Sequence, residues 1–219
     1  MEKNFWHERW QRQEIGFHQN EINTYLIRHW QALHPARGAQ VFVPLCGKSR
    51  DMLWLREQGH PVLGVELSAI AVQAFFTENG CQPSRASCGN LERYEADGIR
   101  ILCGDFFDLT KDDLKDVGAV YDRASLVALP PEMRARYVRH LLDILPPTTQ
   151  MLLLTFDYQQ PEMSGPPFAV SVGEVEALYR GRAKISLLAQ LDALDSNPRF
   201  RERGLSRLQE NVFLLNLNP

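Results

Sequence analysis

Residues 41–55 read VFVPLCGKSRDMLWL, an apolar run that closes on Gly47, Lys48 and Ser49 before an amphipathic segment. A glycine, lysine and serine at the mouth of a helix could grip phosphates, because a phosphate-binding loop ends that way. Such a loop also opens with a glycine five positions before the GK pair, and that position holds Phe42. Positions 41–45 read as the strand itself, with no room for the nest of amides that cradles phosphates. The GxGxxG dinucleotide pattern fails as well. Gly47 stands alone among Leu45, Cys46, Lys48 and Ser49, whereas a pyrophosphate needs glycines crowded at a helix N-terminus.

What survives is an acid at the right distance. Glu66 ends the next apolar run, 19 residues after Gly47, where a carboxylate typically accepts hydrogen bonds from ribose hydroxyls. Alone, Gly47 serves any tight turn and Glu66 any strand end; together at this spacing they favour ribose. A ligand with an adenosine ribose and no phosphates is implied, and S-adenosylmethionine fits that description. Further on, Asp105, Phe106 and Phe107 close one strand-like run, and Asp122 and Arg123 close another. In open α/β sheets ligands sit outside the carboxyl ends of the strands. Asp105 could hydrogen-bond an adenine ring there. Of the two phenylalanines, Phe106 is the candidate to flank it and Phe107 the candidate for core packing.

Alternating periodicities supply the elements that would hold these residues. Helical patterns cover 4–14 and 20–33, the second with Asn20 as a possible cap. Strands at 40–45, 62–67, 99–105, 119–125 and 151–158 alternate with helices near 50–58, after the cap candidate Ser68, and at 131–145. Residues 80–98 read as a long loop or a short hairpin, and the Pro-rich segment 159–171 as a candidate lid. After a short helix at 173–180, two strand-like runs follow each other, separated by polar residues that include RFRERGLSR at 199–207. The expectation is a doubly wound α/β domain with an antiparallel pair closing one edge.

Composition narrows the classes. A net charge of −3 argues against a nucleic-acid footprint, which needs a basic face. No stretch reaches the length of a membrane helix, and the N-terminus lacks the apolar centre of a signal peptide. The four cysteines show no CxxC spacing, and the six histidines no ligand spacing. Free thiols in the cytoplasm and no metal are therefore expected.

The segment VFVPLCGKSRDMLWLREQGHPVLGVELS at 41–68 resembles the cofactor-binding half of thiopurine S-methyltransferases. So do WHERWQ (6–11), GFHQ (16–19), FFTENG (75–80), DFFDL (105–109), YDRASLVALPP (121–131) and GPPF (165–168), all in the same order. The resemblance implies a class I methyltransferase fold over 1–219 as a single domain, with a seven-stranded, mostly parallel sheet and a reversed C-terminal hairpin. Residues 1–36 would form an N-terminal helical cover over a Rossmann-like core at 37–219. It also implies transfer of the methyl group of S-adenosylmethionine to the sulfur of aromatic or heterocyclic thiols, by a monomer with a small-molecule thiol as its partner. By position, Trp10, Leu45, Gly47, Glu66, Asp105, Phe106 and Arg123 would contact the cofactor. Phe17 would lie between cofactor and acceptor, and Arg123 and Arg199 would give the acceptor pocket its positive charge.

Methyl transfer of this kind is an in-line displacement that needs alignment and no covalent enzyme intermediate. Arg123 would favour the thiolate. Asp122 has two readings, as a base for the thiol proton or as an anchor for the loop after its strand. Trp6 and Trp10, four apart, share one helix face, and Trp10 with Phe17 is expected to act as a lid. Met133, Arg134, Arg136 and Arg139 read as ordinary helix residues, the arginines on a solvated face. Other acceptors, such as selenium or tellurium compounds, remain open. So do a nicotinamide-dinucleotide oxidoreductase and a non-enzymatic carrier of the cofactor or of a thiol.

Overall fold

Asn23, rather than Asn20, starts the second N-terminal helix. A computed structural model describes residues 3–218, beginning with α1 (Lys3–Gln11) and α2 (Thr24–His29), which runs on into a 3-10 turn at Trp30–Leu33. The Asn23 side chain accepts from the amides of Tyr25 and Leu26, satisfying donors that a helix start leaves open. The carbonyl of Asn20 instead takes a bond from Arg50.

The core elements follow the expected alternation. They run β1 (Gln40–Val43), α3 (Asp51–Glu57), β2 (Val62–Glu66), α4 (Ala69–Glu78), β3 (Ser84–Cys88), β4 (Leu91–Ala96), β5 (Ile99–Cys103) and β6 (Val117–Arg123). Then come α5 (Pro131–Ile144), β7 (Gln150–Asp157), α6 (Val172–Leu178), β8 (Ala183–Asp192), α7 (Pro198–Glu202) and β9 (Gln209–Leu217). Ser68 sits at the start of α4 in extended conformation, yet its hydroxyl makes no capping bond.

Among the described residues, all nine strands form one sheet in the order β3-β4-β5-β2-β1-β6-β7-β9-β8. The count is nine rather than seven because residues 84–96 form a hairpin that extends the sheet edge: β3 pairs with β4, and β4 with β5, both antiparallel. Polar as it is, this segment alternates only weakly, with Leu91 and Tyr94 its buried apolar residues. From β5 to β7 the pairings are parallel, and β9 and β8 close the other edge antiparallel. The chain winds from β1 outward through β2 to β5, then returns to the other side of β1 for β6 and β7. That reversal puts the switch point between β1 and β6, where α/β sheets open a crevice.

Two apolar layers hold the sheet. On one face Phe42, Leu63, Val120 and Leu153 meet Tyr137, Val138 and Leu141 of α5. On the other Val41, Tyr121, Leu152 and Val212 meet Leu26 and Trp30 of the cover and Met52, Val72 and Phe75 of α3 and α4. Each large side chain so buried contributes about 1.5–3 kcal/mol. Residues adjacent in a strand face opposite layers, and this parity decides the fate of Asp122 and Arg123. Among the described residues no helix is long and apolar enough to cross a membrane.

Candidate active site

The turn after β1 is built on left-handed backbone. Leu45 and Gly47 have φ of 43° and 52°, a region that costs a residue with a side chain roughly 1–2 kcal/mol. Gly47 avoids that cost, and a Cβ there would come within 3.3 Å of the Trp10 ring, which would have to give by a few tenths of an ångström. The amide of Cys46 is tied to the Val65 carbonyl of β2 at 2.9 Å. Lys48 and Ser49 line the cavity but are committed to protein partners rather than held free for a phosphate. Lys48 pairs with Glu78 at the end of α4 at 2.6 Å, and the Ser49 hydroxyl receives Arg123 and the Asp51 amide, each at 3.3 Å.

Glu66 faces this turn. One carboxylate oxygen accepts the Gly47 amide at 2.9 Å and the other the Ser68 amide at 2.8 Å. Burial raises its pKa, while the amides of Ser68, Gly47 and Leu67 oppose the rise. A carboxylate offers about four acceptor positions, so Glu66 keeps capacity for a hydroxyl donor of a ligand.

Above these strand ends lies a cavity of about 760 Å³. Trp10, Phe17, Leu45, Gly47, Glu66, Asp105, Phe106, Arg123 and Arg199 all line it, gathered from elements as distant as α1 and α7. Phe17 meets both Trp6 and Trp10 edge-on, each with ring centroids 5.6 Å apart. Arg199 bonds the Gly16 carbonyl, so the C-terminal segment and the N-terminal cover close over the cavity together. Burial, with Arg203 and Arg123 nearby, lowers the Arg199 pKa. Asp105 accepts the Phe107 amide at 3.0 Å, which turns both phenylalanines at the end of β5. Phe106 is buried against Tyr137 and His140, and Phe107 also borders the cavity, beneath the Arg136 guanidinium at 3.9 Å. The Pro-rich segment contributes Gly165, Pro166 and Pro167 to the rim.

Arg123 and Asp122 part company. Arg123 faces the cavity and bonds Asp51 at 3.0 Å. Asp51 is fully buried and also accepts from the Tyr121 hydroxyl at 3.0 Å and the Asn23 amide at 2.8 Å. Burial pulls the Arg123 pKa down, but Asp51 and Tyr121 prevail and hold it above its ordinary value. Asp122, one residue earlier, points to the opposite layer and does not line the cavity. Its oxygens accept from the Tyr137 hydroxyl at 2.7 Å and the Leu126 amide at 3.4 Å, and burial pushes its pKa up to about 6. The reading of Asp122 as a base for a bound substrate is thereby corrected to the anchoring one, by strand parity.

Other placements went unforeseen. Arg134 is buried rather than solvated, bonding the Leu129 carbonyl at 2.9 Å and Glu174 at 2.5 Å. Met133, Arg136, Arg203 and Glu210 line the cavity. For Glu210 the signal was present in QENVFLLNL, where an acid shares the period-2 face of Val212 and Leu214.

The structure aligns with a Burkholderia thailandensis 1,6-didemethyltoxoflavin-N1-methyltransferase, solved with 1,6-didemethyltoxoflavin and S-adenosylhomocysteine. The TM-score is 0.67 at 16% identity, over 99% of this chain and 87% of that one. A sheet of this order with its cavity at the switch point is the class I methyltransferase fold. The family model described as Thiopurine S-methyltransferase matches residues 1–218. Proteins named thiopurine S-methyltransferase from Nitrosospira multiformis and Methylococcus capsulatus are 64% and 51% identical, the first over 98% of both chains, the second over 98% of this chain and 97% of its own. The chain belongs to the thiopurine S-methyltransferase family and is an S-adenosylmethionine-dependent methyltransferase.

Proposed function

We infer that this protein moves the methyl group of S-adenosylmethionine to the sulfur of an aromatic or heterocyclic thiol. The observation that carries the reading is the continuity of one cavity from Glu66 and Gly47 to Arg123 and on to the aromatic wall of Phe17, Phe156 and Phe200. On the first side Glu66 would take the ribose hydroxyls, Leu45 and Gly47 the backbone approach, and Asp105 and Phe106 the adenine. Trp10, packed on Gly47, would cover the cofactor. On the second side flat rings suit a heteroaromatic acceptor, held by Phe17 and Arg199.

Arg123 stands between the two sides. Its guanidinium would orient the sulfur and favour the anion, which is the nucleophile. Displacement then needs sulfur, methyl carbon and leaving sulfur in line at about 3–3.5 Å, and holding that geometry can supply on the order of 7–11 kcal/mol. The same reading takes the protein as one cytoplasmic domain, in keeping with its free cysteines.

The test is incubation with methyl-labelled S-adenosylmethionine and 6-mercaptopurine. Label should appear on the product sulfur, and Arg123→Met should slow transfer by about 100-fold, the scale of one lost electrostatic stabiliser. Cofactor binding with no label on any thiol of a broad panel would contradict the reading.

A further inference from the structure

Each carboxylate that lines the cavity, save one, is committed to a partner. Glu66 holds two amides, Asp105 holds the Phe107 amide, and Glu14 pairs with Arg9 at 2.9 Å. The Glu210 side chain, 8% exposed, has no hydrogen bond or ion pair among the described residues and is met only by the more distant charge of Arg123.

Its position is fixed by register. Arg123 pairs with Leu154 of β7, Leu154 with Val212 of β9, and Glu210 lies two residues from Val212, opposite Phe156. Two residues along a strand preserve the face, so Glu210 and Arg123 point to the same side. They are two strand spacings of about 4.8 Å and two rises of about 3.3 Å apart along the backbone. Both side chains line the same cavity, where an acceptor would meet both. The strand neighbours of Glu210, Phe156 and Leu191, are apolar. The titratable groups facing it are Tyr25 of α2, Tyr121 and Arg123 of β6, and Arg199 and Arg203 across the cavity.

Arg123 already has the Asp51 carboxylate beside it. It can favour a thiolate, but a guanidinium already carrying its full complement of protons cannot take one. The proton of a neutral thiol needs a destination. We propose that Glu210 is that acceptor, the general base that takes the thiol proton as sulfur attacks the methyl group. This rests on the thiol reading above.

The step balances. The S–H proton passes to the Glu210 carboxylate, and a sulfur electron pair forms the new S–C bond. The methyl–sulfonium bond breaks, leaving its pair on the departing sulfur. A sulfonium cation, a neutral thiol and a carboxylate become a neutral sulfide in S-adenosylhomocysteine, a neutral thioether and protonated Glu210, which returns its proton to water as product leaves. Burial pushes the Glu210 carboxyl up to about 7, against the pull of Arg123, and a base poised near the working pH is the efficient one.

Two thiols separate this role from a structural one: 4-nitrobenzenethiol, already ionised near neutrality, and phenylmethanethiol, which is not. Glu210→Gln should cut kcat for phenylmethanethiol by about 100-fold or more. It should change kcat for 4-nitrobenzenethiol less than about threefold and leave S-adenosylhomocysteine affinity unaltered. Glu210→Asp should recover part of the loss. Should Glu210→Gln fail to bind S-adenosylhomocysteine, the same ratio is read from Glu210→Asp, with a smaller selective loss expected. Equal losses on both thiols, or none, would overturn the base while wild-type transfer upholds sulfur as the acceptor. A wild type that methylates neither thiol would overturn both.

Discussion

The two ends of the cavity are made differently. At the end formed by β1, β2 and β5, the polar groups are satisfied by nearby backbone: Glu66 by Gly47 and Ser68, Asp105 by Phe107, Cys46 by Val65. At the end formed by β7, β9 and α7, charges come from distant segments. There Arg199 reaches to Gly16, and the Glu210 side chain has no hydrogen bond or ion pair among the described residues. On the proposed reading, the first end would be preformed for the cofactor, and the second would be completed electrostatically by the acceptor. A methyltransferase that keeps one cofactor and meets varied acceptors would use such a division, because rigid donors serve recognition and uncommitted ones serve chemistry.

The largest effect is expected where the two ends join. Asp51 ties the N-terminal cover to β6 through Asn23, Tyr121 and Arg123. Asp51→Ala would leave Arg123 nearly buried with its charge uncompensated, and should destabilise the fold by about 3–5 kcal/mol in urea unfolding. A loss below about 1 kcal/mol would mean that the ends are not coupled through this group.

The unfinished end should show itself in the pH dependence of stability. Glu210 has its pKa raised from an ordinary 4.5 to about 7 in the fold. The folded state therefore holds an extra proton between these values. The contribution is fully present below about 4.5 and is lost as pH rises through about 7. At 1.36 kcal/mol per unit this amounts to about 3 kcal/mol. Wild type should lose stability over that window relative to Glu210→Gln, and parallel curves would remove the distinction between the ends. A smaller effect sharpens the contrast between neighbours on one strand. Asp122→Asn should lower stability by about 1–2 kcal/mol through its bond with Tyr137. Methyl transfer and its pH profile should stay within about threefold, because the side chain faces away from the cavity.

The difference between the ends also explains what could be read in advance. Gly47 and Glu66 are 19 residues apart in one strand–helix–strand unit, so local spacing exposes them. The parallel core was legible for the same reason, each strand being a continuous apolar run. Asp122 was not resolved, since two polar residues at a strand end leave parity open until the layers are known. Arg134 reads as solvated from helix periodicity, and only the packing of α6 brings Glu174 to it. Glu210 becomes a cavity residue only once β9 inserts beside β7, a pairing between segments more than 50 residues apart. The β3–β4 hairpin stayed ambiguous because an edge hairpin with few apolar residues resembles a loop.

The central claim is that the cofactor occupies the satisfied end, with its ribose on Glu66. Calorimetric titration of S-adenosylhomocysteine into wild type, Glu66→Ala and Arg199→Met tests it most directly. Two lost charge-assisted hydrogen bonds at about 1.5–3 kcal/mol each predict a weakening of at least about 100-fold for Glu66→Ala. Arg199→Met, at the other end, should change affinity less than about threefold. Unchanged binding by Glu66→Ala, or equal losses in both variants, would contradict the division.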